Sequence, residues 1–177
     1  MHKKLMIGTI GIVLMMLSTI CLGAHLFDQK EWQKKANLLF SYGEETLIRE
    51  VEHGQWITDD QGRTKIRNRI VQYQETMQGP AADLVNGVIT TTMNCNLDEN
   101  WTGPCWGAYQ WPISATEKWA GVWEGTFNFG VVAGSYHASG HGEGGKLAGL
   151  RLDMDTVYPG YPKTAVNFVS IIDMEDN

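Results

Sequence analysis

The sequence lacks the short motifs that mark many catalytic and nucleotide-binding sites. It contains no G-x-S-x-G and no H-E-x-x-H, and the glycines around His141 precede no helical pattern. It also lacks a basic excess: 14 Lys and Arg residues stand against 20 Asp and Glu residues, giving a net charge of −6 at pH 7. Because phosphate binding needs a basic surface, this balance argues against nucleic acid as the main partner.

Cysteine is scarce, with three residues in the chain, and one of them, Cys21, lies in an apolar N-terminal run. Cys95 and Cys105 are therefore the one pair in the rest of the sequence. Their spacing is not C-x-x-C and no histidine lies nearby, which argues against a metal or redox site. If the chain is exported, as its N-terminus indicates below, such a pair predicts a disulfide at the base of a hairpin. Closing the turn-rich loop between the two cysteines would stabilise the fold by about 2–3 kcal/mol.

The N-terminus predicts export. Lys3 and Lys4 precede a charge-free run from Leu5 to Ala24, the layout of a secretory signal peptide. The run is also about as long as a membrane-spanning helix. We expect residues 1–24 to be a cleaved signal, with an uncleaved anchor through residues 5–24 as the alternative. In either case the rest of the chain is secreted, periplasmic or extracellular, and membrane contact is limited to an uncleaved N-terminal segment.

Residues 25–44 are predicted to be a short helix or linker, since apolar positions there are spaced among Lys, Glu and Gln and Gly43 ends the pattern. Residues 45–177 are predicted to form one β-barrel domain without further helices. Turn residues separate eight strand-like runs in that domain: 46–57, 63–75, 84–96, 105–114, 119–131, 132–141, 146–154 and 164–173.

The segment that begins at Trp119 alternates large aromatic residues with glycines, in the order Trp119, Gly121, Trp123, Gly125, Phe127. In a strand these residues share one face, because successive side chains point to opposite sides. Aromatic rings that alternate with glycines, which have no side chain, indicate a small, strongly curved and closed sheet. The sequence therefore predicts an all-β fold: a single antiparallel eight-stranded barrel.

Several stretches between about Met93 and Leu152 carry a family resemblance: N-C-N-L-D, G-P-C-W-G, W-E-G-T-F and G-H-G-E-G-G-K-L-A-G-L. They resemble a group of exported bacterial proteins that are similar in pattern to the allene oxide cyclase and dirigent barrels. The resemblance implies a calycin-like or allene oxide cyclase-like barrel that encloses a mainly apolar ligand site. No catalytic residues of the cyclases or dirigent proteins match, so none are transferred.

Glu124 is the candidate catalytic residue. It lies between Trp123 and Gly125, on the opposite face from the aromatics. Pointing inward, it would be a carboxylate in an apolar pocket with a raised pKa, suited to acid–base chemistry. Pointing outward, it would be a solvated charge. The aromatics have the stronger claim on the core, so we expect the outward orientation.

Two polar groupings contain residue types that bind metal ions. His137, His141 and Glu143 share one strand face, but residues four apart on a strand are about 13 Å apart, too far to share an ion. The alternating oxygen-bearing residues from Asn96 to Thr102 resemble the start of a calcium loop, yet Trp101 stands where that loop needs Gly. We expect turns at both places, with no metal and no cofactor.

The tryptophans are concentrated, and such a cluster lines a pocket for a flat apolar ligand or simply fills a small barrel. The candidate ligand-binding residues are Trp106, Trp111, Trp119, Trp123 and Tyr136. The preferred function is non-catalytic binding of a small hydrophobic ligand or a partner. The alternatives are a cofactor-free cyclase or isomerase that holds its substrate inside the barrel, and an envelope or surface structural protein.

Overall fold

A computed structural model describes residues 38–160 and 164–174. The predicted signal or anchor, and residues 25–37 of the predicted helix or linker, lie outside the described residues. Within the described part of the chain, no helix has the length and apolar character needed to cross a membrane.

The fold is a closed antiparallel barrel of eight strands, which confirms the all-β prediction. Every neighbouring pair is antiparallel, and the ring runs β1-β9-β8-β7-β6-β5-β4-β3 and closes where β3 pairs with β1. β2 pairs with β3 in a hairpin beyond the ring. The strands are β1 (Leu38–Glu52), β2 (Gln55–Thr58), β3 (Thr64–Gln78), β4 (Gly87–Leu97), β5 (Thr102–Pro112), β6 (Lys118–Asn128), β7 (Ala133–Glu143), β8 (Leu150–Pro159) and β9 (Ala165–Asp173).

The predicted start of the barrel at residue 45 is too late. Residues 38–44, assigned from sequence to a helix or linker, form the first part of β1 and pair with β9. Hydrophobic periodicity did not show this strand because its inward positions are Ser41, Gly43 and Glu45. The predicted single strand 46–57 is in fact two, because the chain turns at Gly54, where φ is 69°.

Two short helices interrupt the region in which none were expected. An α-helix, α1 (Ala82–Val85), connects β3 to β4, and a 3₁₀ helix spans Gly145–Leu147. Both help to close one end of the barrel, since Val85 and Leu147 are fully buried. Trp119 packs there too, and its indole N–H donates to the carbonyl oxygen of Leu84 at 2.7 Å. This end of the barrel is filled by protein.

The alternation along β6 places the rings inside. Trp119, Trp123 and Phe127 are buried, whereas Glu124 is exposed. A Cβ at Gly121 would collide with the carbonyl oxygen of Ser139 on β7. The glycines therefore allow close approach of neighbouring backbone beside the large rings.

Cys95 and Cys105 lie directly opposite each other on β4 and β5, with their sulfurs at disulfide-bonding distance. This confirms the predicted pair and places it in a hairpin. In the loop between them, Asp98 Oδ1 accepts hydrogen bonds from the backbone N–H groups of Asn100 and Thr102, both at 2.9 Å. The loop is thus organised by an aspartate-centred turn.

Candidate functional site

An aromatic cavity lies inside the barrel, lined by side chains from β1 and β3 to β8. Its walls combine six aromatic residues with aliphatic, sulfur-containing and polar ones. The lining residues are Tyr73, Tyr109, Trp123, Phe127, Tyr136, Tyr158, Ile89, Met93, Met154, Ala138, Thr91 and Glu45. The free volume is about 20 Å³, close to the space that one water molecule requires.

Four of the rings form one connected group. Tyr136 lies at its centre, with its ring centroid 5.5 Å from that of Trp123 and 6.4 Å from that of Tyr158. Phe127 packs edge-on against Tyr158 at 5.2 Å. The indole N–H of Trp123 donates to Thr91 Oγ1 at 2.6 Å. Because that polar group is already paired, Trp123 contributes an apolar surface to the cavity.

Two buried glutamates adjoin these rings at the seam where the barrel closes. Glu45 on β1 and Glu75 on β3 are direct register partners, and they are only 4% and 0% exposed. Their carboxyl groups lie close enough for each to affect the pKa of the other. The Tyr136 hydroxyl donates to Glu45 Oε2 at 2.5 Å, and the Asn167 amide donates to Glu75 Oε2. Only Glu45 of the pair lines the cavity.

The environment of the pair favours protonated carboxyls. Burial raises the pKa of Glu75, and the neighbouring Glu45 raises it further. Burial also raises the pKa of Glu45, against the opposing effects of Glu75 and of the hydrogen bond from the Tyr136 hydroxyl. Two carboxylates in contact cannot readily both be charged in an apolar interior. The pair therefore retains at least one proton at neutral pH, which allows one carboxyl to donate to the other.

Several oxygens around the pair receive no hydrogen bond from any residue that the structure describes. They are Oε1 of Glu45, Oε1 of Glu75, Oγ1 of Thr156 and Oδ1 of Asn167. Thr156 and Asn167 face each other on β8 and β9. Buried polar atoms are normally paired, so this cluster is suited to a water molecule or to a polar group of a ligand.

The structure divides the predicted ligand-binding residues among three places. Trp123 and Tyr136 line the cavity. Trp111 and Trp119 are fully buried, and Trp119 packs at the closed end beside α1. Trp106 is 38% exposed, on the outer surface, with the Arg67 guanidinium 5.3 Å from its ring centroid.

The other polar candidates lie on the outside of the barrel. Glu124 faces solvent opposite His137, its register partner on β7. His137 Nδ1 is 2.9 Å from Asp155 Oδ1, and His141 Nε2 is 3.4 Å from Glu143 Oε1. Both histidines are exposed, and each contacts carboxylates of its own surface region. Within residues 38–160 and 164–174, no three or more His, Cys, Asp or Glu side chains are placed to hold one metal ion.

Sequence reasoning missed Glu45 and Glu75. A signal existed for Glu75, because the alternate positions around it from residue 71 onward are Val71, Tyr73 and Met77, which are apolar or aromatic. An acidic residue at such a position is expected to point inward with them. Glu45 gave no comparable signal, because its strand was not recognised.

Comparisons with family models, with curated protein sequences and with solved structures gave no match.

Proposed function

We propose that the protein is an exported barrel that binds a small hydrophobic ligand in the aromatic cavity, without catalysis. We further propose that it is related to the calycin-like or allene oxide cyclase-like barrels, as its sequence resemblance suggests. The observation that carries the proposal is the cavity itself, where connected rings adjoin a buried polar cluster. Ligand sites commonly combine a mainly apolar lining with a few convergent polar groups.

Ligand entry requires the lining to move, because the free volume is about that of one water molecule. The side chains suited to this are Met93 and Met154, since an unbranched thioether adapts its shape easily. Phe127 and Tyr158 pack edge to face, and we expect rotation of either ring to change the space beside Tyr136. We expect binding to be accompanied by these side-chain changes while the barrel backbone stays in place.

A cofactor-free isomerase or cyclase is the second candidate function. It is favoured by the carboxyl pair, because a carboxyl whose pKa is raised by burial is suited to proton transfer at neutral pH. Glu45 lines the cavity, as this function requires, whereas Glu124 lies on the outer surface.

An envelope or surface structural protein is the third candidate function, favoured by the small free volume of the cavity.

Binding is tested with N-phenyl-1-naphthylamine, a neutral apolar dye whose fluorescence rises in apolar surroundings. We expect saturable binding by the wild-type protein. Ala138 lines the cavity, so Ala138→Leu adds bulk there and should weaken binding at least tenfold. Ala108→Leu adds the same bulk on the exposed face of β5 and is the matched control. Unfolding midpoints verify that both variants fold.

If Ala138→Leu and Ala108→Leu bind the dye equally, the dye does not occupy the cavity. If the wild-type protein shows no saturable binding, the ligand-binding proposal fails and the structural protein remains as the candidate function. Native mass spectrometry of protein purified from its own source provides an independent measurement, since a ligand bound with useful affinity appears as a defined added mass.

A further inference from the structure

The cavity carries acidic character without a compensating cation. Of the described residues that line it, Glu45 is the single carboxyl, and none is Lys, Arg or His. No basic side chain is among the groups that perturb the pKa of Glu45 or of Glu75. A buried carboxylate is costly unless a cation or several hydrogen-bond donors accompany it. Among the described residues, Glu45 accepts a hydrogen bond from the hydroxyl of Tyr136 and forms no ion pair with a Lys, Arg or His side chain.

Glu45 also has unused acceptor capacity. Its Oε2 accepts from Tyr136, but its Oε1 is buried and receives no hydrogen bond from any described residue. A ligand group that reaches Glu45 from the cavity therefore meets an acceptor. A protonated amine satisfies it with a charge-assisted N–H hydrogen bond, which is stronger than a bond between neutral groups.

The rings beside Glu45 suit the same chemistry. Tyr136 contacts Glu45 through its hydroxyl and packs against Trp123 and Phe127 through its ring. The face of an aromatic ring is electronegative and attracts cations, and ammonium groups are commonly held between such rings. Trp123, Phe127 and Tyr158 offer apolar surface for a hydrocarbon tail.

We propose that the cavity binds an apolar amine in its protonated form, with the ammonium group paired to Glu45 and the hydrocarbon tail packed among Trp123, Phe127 and Tyr158. This inference rests on the proposed ligand-binding function and names the class of ligand. Glu75 positions Glu45: it shares a proton with it across the closing seam, and Asn167 holds Glu75 in turn.

The test compares three probes with the same tail and different heads: hexylammonium, 1-hexanol and hexanoate. Each displaces N-phenyl-1-naphthylamine from the wild-type protein at pH 7. The buffer contains about 0.15 M salt, so that attraction of cations to the acidic surface is screened. We expect hexylammonium to bind at least tenfold more tightly than 1-hexanol, and hexanoate to bind most weakly because the described residues that line the cavity include no cation to pair with its carboxylate.

Glu45→Gln removes the charge and keeps the size of the side chain, so hexylammonium should lose its advantage over 1-hexanol. Glu44→Gln is the matched control: the adjacent residue points outward and is exposed, and its replacement should preserve the full order of affinities. The head-group series needs no variant, so the inference stays testable if Glu45→Gln fails to fold.

Equal affinities for the three probes, a preference for hexanoate, or an unchanged preference in Glu45→Gln would each overturn the inference. In those cases the dye still binds to wild-type protein and the ligand-binding function stands. If neither the dye nor any of the three probes binds, the proposed function fails as well. The two failures are therefore distinguishable.

Discussion

Replacing Glu75 by glutamine should change how the stability of the protein depends on pH. Burial raises the pKa of Glu75 in the folded protein, whereas in the unfolded chain a glutamate has a pKa of about 4.3. Above that value the folded state holds a proton that the unfolded state has released. The free energy of unfolding of the wild-type protein therefore falls as pH rises, by about 1.4 kcal/mol per pH unit for one such proton.

Glu75→Gln removes this proton while keeping the local hydrogen bonds, since the amide can donate to Glu45 and accept from Asn167. The variant should gain stability relative to the wild-type protein as pH rises, by about 4 kcal/mol between pH 5 and pH 8. Groups that do not interact with Glu75 cancel in the difference between the two proteins, whereas Glu45 does not, because Glu75 affects its pKa.

Urea denaturation at several pH values, with the disulfide intact, gives the two stability curves. Glu44→Gln serves as the control, because this exposed carboxyl on the same seam should leave a constant difference from wild type. A constant difference for Glu75→Gln would refute the reasoning, because it would mean that replacing Glu75 removes no proton from the folded state over this range.

Two further predictions concern packing and the cross-link. Gly121→Val should lower the free energy of unfolding by about 1–3 kcal/mol or more, since a side chain there collides with the Ser139 carbonyl. Ala108→Val, on the exposed face of β5, should change the unfolding midpoint little. Equal midpoints for the two variants would contradict a packing role for Gly121. Reduction of the Cys95–Cys105 disulfide should add the mass of about two hydrogen atoms and destabilise the fold by about 2–3 kcal/mol. If both cysteines can be alkylated before any reduction, the bond is absent.

The all-β character of the fold and the cysteine pair were predictable because both depend on local patterns. Alternation of rings and glycines along β6 is a property of one strand, and it correctly indicated the buried face of Trp119, Trp123 and Phe127. The hairpin between Cys95 and Cys105 likewise needs only the turn residues between them. In both cases the sequence signal and the structural feature lie within one or two neighbouring elements.

The carboxyl pair depends on a contact that no local pattern encodes. Glu45 and Glu75 meet because β1 and β3 close the ring in one particular register, and a shift of one residue would turn Glu45 to the outside. The β1 strand was also hidden, since Ser41 and Gly43 share the inward face of Glu45. Glu124 attracted attention because its strand was easy to recognise, although its face was the exposed one.

The two glutamates where β1 pairs with β3 affect both the stability of the fold and the proposed ligand binding. Replacing buried ionisable groups by uncharged groups of similar size is often neutral or stabilising, so a barrel of this kind does not need two glutamates in order to fold. Glu45→Gln and Glu75→Gln should both favour the ligand-free fold at neutral pH, while Glu45→Gln loses selectivity for hexylammonium. Gain of stability together with loss of selectivity is the pattern expected when a site is maintained for binding. If Glu45→Gln instead destabilises the protein and leaves probe selectivity unchanged, the pair serves mainly to fix the register of β1 against β3.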